Sequence, residues 1–250
     1  RDFGPIFVRD EATGKPCILQ FEWTEWGYAI YSTAAKNNND EIATLVGKSL
    51  NLPVKKINYC SEGGDRDYCG GGGEKEREGN ILICSEVVET NRNPGCSIEE
   101  MEKKLKDTFK LEHILWTKAG LADDFVTYES PIPETDIFTC FGTGGHIDEF
   151  ARFANDNTLL LAYIAEPERD DKLGQISHKH MEENKIFIEE QLAKMGKKME
   201  IVRVPCPPAL IWEISGDSDA GEAIQGVSEG AKGKKKLKIV LAASYLNFLV

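Results

Sequence analysis

The amino-acid sequence predicts an α/β fold, because short runs of β-branched and aromatic residues alternate with single amphipathic helices. Strand-like runs occupy residues 5–8, 17–23, 80–88, 113–117, 157–165, 200–205 and 237–250. Apolar residues follow the spacing of a helix over 40–50, 97–109 and 177–195. The 250 residues suffice for one large domain or two small ones with a buried core.

The helix at 97–109 is the most clearly marked of the three. Ser97 is followed three residues later by Glu100, which is the pattern of a capping box. Its expected inner face consists of Ile98, Met101, Leu105 and Phe109. The same spacing predicts that helix 40–50 aligns Ile42, Leu45, Val46 and Leu50. For helix 177–195 the expected inner residues are Met181, Ile188, Leu192 and Met195.

Two long segments, 61–79 and 122–145, are predicted to be loops, because they are rich in glycine, proline and acidic residues. Long loops in compact domains often bind ligands or act as lids. The lysine-rich stretch 234–238 is predicted to be a solvated hairpin or loop.

The composition and charge argue against several classes of protein. The net charge of −12 argues against a nucleic-acid binder, which needs a basic face, and favours a cationic small molecule. No apolar run reaches the roughly 18 residues of a membrane-spanning helix. The seven cysteines are odd in number and form no CxxC pair, so neither a disulfide framework nor a zinc ribbon is expected. A reducing, cytoplasmic setting follows from that pattern.

The stretch GGHIDEFARF, at 144–153, places a histidine and an aspartate two residues apart. If the backbone is extended there, His146 and Asp148 point to the same face and can share one pocket. The histidine would transfer protons and the carboxylate would hold a cation. By spacing alone, however, a structural histidine is the more frequent explanation.

Two further acidic residues stand beside glycines: Asp2 in RDFGP and Glu62 in SEGG. Each alone is typical of an ordinary turn. Together with His146 and Asp148 they place three acids around one histidine, which suits a planar guanidinium with its five N–H donors. A metal site at His178 and His180 is not expected, because side chains two apart on a helix diverge.

Five blocks in this order resemble the agmatine deiminase or Porphyromonas-type peptidylarginine deiminase family, a branch of the pentein superfamily: RDFGP, SEGG, NRNPGCSIEEMEKKL, GGHIDEFARF and LAASYLNF. The resemblance spans essentially the whole chain. It implies one pentein-type domain over 1–250, an α/β propeller of ββαβ units about a pseudo-fivefold axis. It also implies hydrolysis of a guanidine with loss of ammonia, without a metal or an organic cofactor.

The same resemblance assigns roles to residues. His146 corresponds to the general acid and base, and Glu62 to the carboxylate that orients it. Asp2 and Asp148 correspond to the two aspartates that hold the guanidinium. The favoured reaction converts agmatine to N-carbamoylputrescine in polyamine (putrescine) biosynthesis. The alternatives are a peptidylarginine deiminase and an inactive guanidine-binding or scaffold protein.

The chain departs from the family pattern in one respect. The family's nucleophilic cysteine lies in a GGxxHC-type segment beyond the LxASYxNF strand, and none of the seven cysteines here has that context. A tryptophan expected before RDFGP is also missing, since the sequence starts at that motif. We therefore expect a domain incomplete at both ends, lacking its last unit and its nucleophile and having little activity alone. An unpaired sheet edge would favour a homo-oligomer.

Overall fold

The computed structural model describes residues 2–30, 41–70 and 80–248. The predictions for Asp40, for 71–79 of the first loop and for 249–250 of the last strand lie outside these residues. The described strands are β1 Ile6–Arg9, β2 Pro16–Glu22, β3 Val54–Cys60, β4 Asp67–Cys69, β5 Ile81–Ser85, β6 His113–Thr117, β7 Ile137–Thr139, β8 Ala151–Asn155, β9 Thr158–Tyr163, β10 Glu200–Pro205, β11 Leu210–Ser215 and β12 Lys236–Leu241. The described α-helices are α1 Ile42–Leu50, α2 Glu86–Arg92, α3 Ile98–Phe109, α4 Lys172–Lys194 and α5 Asp219–Val227.

The described strands form four three-stranded sheets, and three of these repeat one pattern. In each, the first two strands pair antiparallel and the third pairs parallel to the second: β1-β2-β3, β4-β5-β6 and β8-β9-β10. The chain crosses between the two parallel strands through helices, as parallel pairing requires. These are the ββαβ units that the family resemblance implies.

The fourth sheet has the order β11-β12-β7 and is assembled differently. Strands β11 and β12 pair antiparallel on either side of α5 in the chain. Strand β7 pairs parallel to β12, with Ile239 opposite Phe138. Strand β7 therefore occupies the outer position parallel to the central strand. In the other three sheets this position belongs to the strand that follows the helix. Because β7 lies within 122–145, the prediction that this whole segment is an irregular loop is wrong.

The main core lies where α4 packs on β6 and β9. Met181, Ile188 and Leu192 of α4 are buried, as predicted from their spacing, and Met195 ends the helix partly buried against the same cluster. In α3, Met101 and Leu105 are buried and the capping box between Ser97 and Glu100 is present, as predicted. No described helix is both long and apolar enough to cross a bilayer.

Helix α1 buries a different face from the predicted one. Leu45 and Leu50 are more than half exposed, whereas Ala43 and Gly47 are buried. A Cβ atom on Gly47 would lie 2.3 Å from Cγ2 of Val54. The helix therefore approaches its sheet through its small residues, and apolar spacing alone does not reveal this close approach.

Two predicted strands end earlier than expected. Strand β5 stops at Ser85, whose hydroxyl accepts a hydrogen bond from Val88 N and caps α2, so Glu86–Arg92 is helical. Strand β12 stops at Leu241, and residues 242–248 lack regular structure. Ser244 Oγ donates to Glu149 O and Asn247 Nδ2 to Glu149 Oε1, so this segment fastens the end of the GHIDE turn.

Candidate functional site

The structure brings three of the four predicted site residues together at Gly64. A Cβ atom built on this glycine would lie 2.4 Å from Nδ1 of His146, 2.9 Å from Oδ1 of Asp2 and 3.0 Å from Oδ2 of Asp148. Glycine is therefore needed there to leave room for these polar atoms. Glu62, the fourth predicted residue, reaches the other nitrogen of the same imidazole.

Glu62 joins His146 to an arginine that the sequence analysis did not single out. Its Oε2 lies 2.6 Å from His146 Nε2, and its Oε1 accepts a hydrogen bond of 2.9 Å from Nε of Arg92. All three side chains are almost completely buried. A buried carboxylate between two cationic groups is well compensated, so the trio forms one electrostatic unit.

The two partners shift each other's pKa in opposite directions. Burial alone would lower the pKa of His146, but its hydrogen bond to Glu62 and the charge of that carboxylate raise it to about 10. Burial alone would raise the pKa of Glu62, but His146 and Arg92 outweigh it and hold the pKa below the ordinary value. At neutral pH the site therefore holds an imidazolium and a carboxylate. Nδ1 is the imidazolium nitrogen on the Gly64 side.

Asp2 is held by groups on two sides. Its Oδ1 accepts a hydrogen bond from Gly64 N at 2.6 Å, and its Oδ2 accepts one from Nε1 of Trp26 at 3.0 Å. Glu25, Trp26 and Gly27 all have positive φ, at 52°, 55° and 82°. This unusual left-handed run turns the indole toward the carboxylate.

The backbone at GHID is not the extended segment that the sequence suggested. His146 has φ −54° and ψ 138°, but Ile147–Glu149 forms a single 3₁₀ turn, so the two-residue rule for strands does not apply. His146 and Asp148 meet because the turn brings Asp148 back toward Gly64. The expected proximity is present, although the geometry that produces it differs.

Two buried carboxylates beside the turn were also missed. Asp65 accepts hydrogen bonds from Ser85 N and Ile147 N, and Asp124 accepts several from residues 143–146. Burial, with the charge of nearby Glu89, raises the pKa of Asp65 well above its ordinary value. No local sequence pattern indicates these contacts, because they join residues about 20 or more positions apart in the chain.

Five of the seven thiols lack the environment of a reactive thiolate. All seven cysteines are unpaired. Burial raises the pKa of Cys60 to about 12, of Cys69 to about 11 and of Cys206 to about 12, and it also raises the pKa of Cys84 and Cys140. A nucleophilic cysteine requires a lowered pKa. These five are therefore poor candidates for a nucleophile.

A cavity of about 430 Å³ lies beside the site, bordered by Arg92, Gly144 and Gly145. None of Asp2, Glu62, His146 and Asp148 lines it. Its walls are mainly apolar, so it is not the place where the acidic side chains would hold a cation.

Comparison with known proteins places the chain in a family. Residues 1–250 match the model of Porphyromonas-type peptidyl-arginine deiminases. The chain is 28% identical to a putative agmatine deiminase of Streptomyces coelicolor over 214 residues, covering 84% of this chain and 54% of that protein. It is 25% identical to the agmatine deiminase of Pseudomonas fluorescens Pf-5, covering 100% and 59%. The chain thus spans little more than half the length of these relatives.

Solved structures show the same fold. The agmatine deiminase of Enterococcus faecalis superimposes with a TM-score of 0.68 at 20% identity, over 100% of this chain and 59% of that one. A C. jejuni agmatine deiminase with substrate bound gives 0.57 at 21% identity, over 97% and 67%. The expected pentein-type α/β fold is confirmed. Because the family model matches residues 1–250, the chain belongs to the Porphyromonas-type peptidyl-arginine deiminase family.

Proposed function

We propose that residues 1–250 form the guanidinium-binding and proton-transfer part of an enzyme that hydrolyses agmatine to N-carbamoylputrescine and ammonia. The observation that carries this proposal is the convergence of Asp2, His146 and Asp148 on one point beside Gly64. The matches to agmatine deiminases support agmatine as the substrate.

Charge and shape at Gly64 fit a guanidinium. Oδ1 of Asp2 and Oδ2 of Asp148 lie within 3.0 Å of one point beside Gly64, and a planar guanidinium can donate to two carboxylates at once. Asp2 is oriented in advance by Gly64 N and Trp26, so little order has to be gained on binding. Asp148 is nearly buried, which strengthens its attraction for a cation.

His146 is suited to donate a proton to departing ammonia. Its Nδ1 faces the same point as the two aspartates, and Glu62 keeps the ring protonated through Nε2. A bound cation lowers the pKa of the imidazolium by repulsion, which brings it closer to the neutral pH at which proton transfer is efficient. After losing its proton, the same nitrogen can accept one from an attacking water.

The covalent step requires a thiolate, which we place outside residues 1–250. A thiolate would attack the guanidinium carbon, ammonia would leave with the proton from His146, and water would then release the urea product and the thiolate. The raised pKa values of five thiols support this assignment. Without that thiolate, the 250 residues would bind agmatine but turn it over slowly at best.

Agmatine as the substrate would place the reaction in polyamine biosynthesis. The seven unpaired cysteines favour a reducing compartment such as the cytoplasm. Arginyl groups of peptides share the guanidinium, so they are the competing substrate. A homo-oligomer would cover the apolar residues exposed on β11, such as Leu210 and Trp212.

The test compares agmatine with an arginyl peptide in the full-length protein. We expect ammonia release from agmatine and its loss in His146→Asn. Calorimetry with agmatine on His146→Asn and Asp148→Asn separates the two roles, since only the second should lose binding outright. Wild-type activity in His146→Asn, or equal turnover of the peptide, would refute the proposal in its present form.

A further inference from the structure

We propose that Asp124 is a positioning residue that fixes His146 by filling an anion-binding loop with its own side chain. The inference rests on the proposed function of His146, but the geometry that supports it is independent of any substrate. Asp124 touches neither Asp2 nor the point beside Gly64 in any described contact, so it acts through the backbone.

Four consecutive backbone N–H groups donate to this one residue. Oδ1 of Asp124 accepts from Thr143 N at 2.6 Å, and Oδ2 accepts from Gly145 N at 2.9 Å and His146 N at 3.1 Å. The backbone oxygen of Asp124 accepts from Gly144 N at 2.8 Å. Oδ2 also accepts from Thr143 Oγ1 at 2.6 Å. Asp124 itself is only 1% exposed.

The paired glycines make this arrangement sterically possible. Gly144 and Gly145 have φ of +90° and +106°, which L side chains rarely adopt. Successive N–H groups on such a backbone form a concave nest for an anion. In other proteins such nests bind a phosphate or a carboxylate from solution; here the anion is the side chain of Asp124.

A second set of contacts closes the ring around His146. Arg92 Nη2 donates to Thr143 O at 2.7 Å, while Arg92 Nε donates to Glu62. Glu62 in turn holds the imidazole at Nε2. The backbone of His146 is thus fixed by Asp124 and its ring by Glu62. Moving either support displaces Nδ1 from the aspartates it faces.

A carboxylate is specifically required. Three donors converge on Oδ2, and an amide –NH₂ in its place would meet them donor to donor. Turning the amide would only transfer the conflict to Thr143 N at Oδ1. The Asp124→Asn substitution is therefore nearly isosteric and yet should shift the turn.

The experiment uses the full-length protein with Asp124→Asn and, as a matched control, Asp123→Asn. Asp123 is the adjacent residue, and its described hydrogen bond is accepted from Ala243 N. Each variant is assayed for kcat and KM with agmatine, and the His146 ring is followed by NMR. We expect Asp124→Asn to lower kcat about 100-fold with a smaller effect on KM, as for a displaced catalytic group. The His146 resonances should move in this variant, whereas Asp123→Asn should behave like the parent.

The proposal is overturned if Asp124→Asn folds and leaves both kcat and the His146 resonances as in the parent. If Asp124→Asn does not fold, Thr143→Val removes one donor to Oδ2 and should give a smaller shift of the same resonances; no shift there would also overturn it. A parent protein that does not deiminate agmatine would refute the proposed function, while the NMR comparison would still decide the role of Asp124.

Discussion

Nε2 of His146 and Oε2 of Glu62 lie 2.6 Å apart in the interior, where neither side chain keeps more than 2% of its surface exposed. In that setting the histidine is charged because its partner is charged, and Arg92 on the far side stabilises the partner. The protonation of the site is thus decided by three residues together. Each can be varied separately, and the expected effects differ.

Replacing Glu62 with glutamine should lower the pKa of His146 steeply. The neutral amide no longer stabilises the imidazolium, and burial, which opposes the charge, then dominates. NMR titration of the imidazole C–H signals measures this directly, with His146→Asn used to assign the resonance among the four histidines. A His146 pKa that stays near 10 in Glu62→Gln would contradict the assignment.

The same pair predicts how stability depends on pH. The pKa of His146 is raised from 6.5 to about 10, so its contribution is complete below pH 6.5 and is lost as the pH rises through 10. The pKa of Glu62 is lowered from 4.5, so its contribution is complete above pH 4.5 and is lost as the pH falls further. Urea unfolding of the parent and of Glu62→Gln should therefore differ most between these limits, and the difference should narrow, without vanishing, as the pH rises through about 10, because the Arg92–Glu62 ion pair remains in the parent. A difference that does not change with pH would argue against an ion pair.

Substituting alanine for Gly64 should abolish agmatine binding, because the side chains around it must shift. The new methyl group would come within 3.0 Å of His146, Asp2 and Asp148, and it would push apart the three side chains that are proposed to act on the guanidinium. Gly226→Ala is the matched control, because nothing lies within 4 Å of a Cβ there and the position is helical. Calorimetry on both variants checks the prediction, and retained affinity in Gly64→Ala would move the binding site elsewhere.

Replacing Arg92 with methionine should destabilise the protein strongly. It leaves the buried Glu62 with a single charged partner and removes the donor to Thr143 O, a loss on the order of 3–5 kcal/mol in the free energy of unfolding. Lys103→Met removes an ion pair of similar chemistry on the surface, with Asp107, and should leave the urea midpoint unchanged. Equal midpoints for the two variants would show that burial adds nothing at Arg92.

The stability of the Asp65→Asn variant should increase relative to that of the parent as the pH rises. Burial raises the pKa of Asp65 well above 3.8, so the native state binds the proton more tightly than the unfolded state. The parent therefore loses stability as the pH climbs from 3.8 toward the raised pKa, whereas the amide of the Asp65→Asn variant would not titrate. Unfolding free energies at about pH 5 and about pH 8 should show the variant gaining on the parent. The opposite trend would mean that Asp65 is ionised and usefully paired.

Sequence patterns correctly predicted those features that depend on residues close together in the chain. The capping box of α3 needs only Ser97 and Glu100, and the inner face of α4 needs only periodic apolar residues. Strand β7 escaped notice because its three residues owe their pairing to β12, about 100 residues later in the chain. The inner face of α1 was predicted wrongly because it is the absence of a side chain at Gly47 that lets the helix approach its sheet, which leaves the leucines exposed.

The residues of the candidate site likewise fall into those that the sequence could indicate and those that it could not. Asp2, Glu62, His146 and Asp148 stand in short blocks that a family resemblance can mark. Arg92 and Asp124 owe their importance to partners that only the folded chain brings near, across 30 residues to Glu62 and 22 to His146. Buried polar partners leave no periodic pattern, because each serves one contact and not a face.

The placement of β7 has a consequence for how the site loses order. Residues 125–142 leave Asp124, cross to the fourth sheet as β7 and return to the turn that carries His146. The turn is thereby tethered to a sheet that it does not belong to in sequence. Separation of β7 from β12 would release this segment both at Asp124 and at the turn that carries His146. Amide hydrogens of 137–146 and of β12 should therefore exchange with solvent as one cooperative unit, ahead of the core around α4.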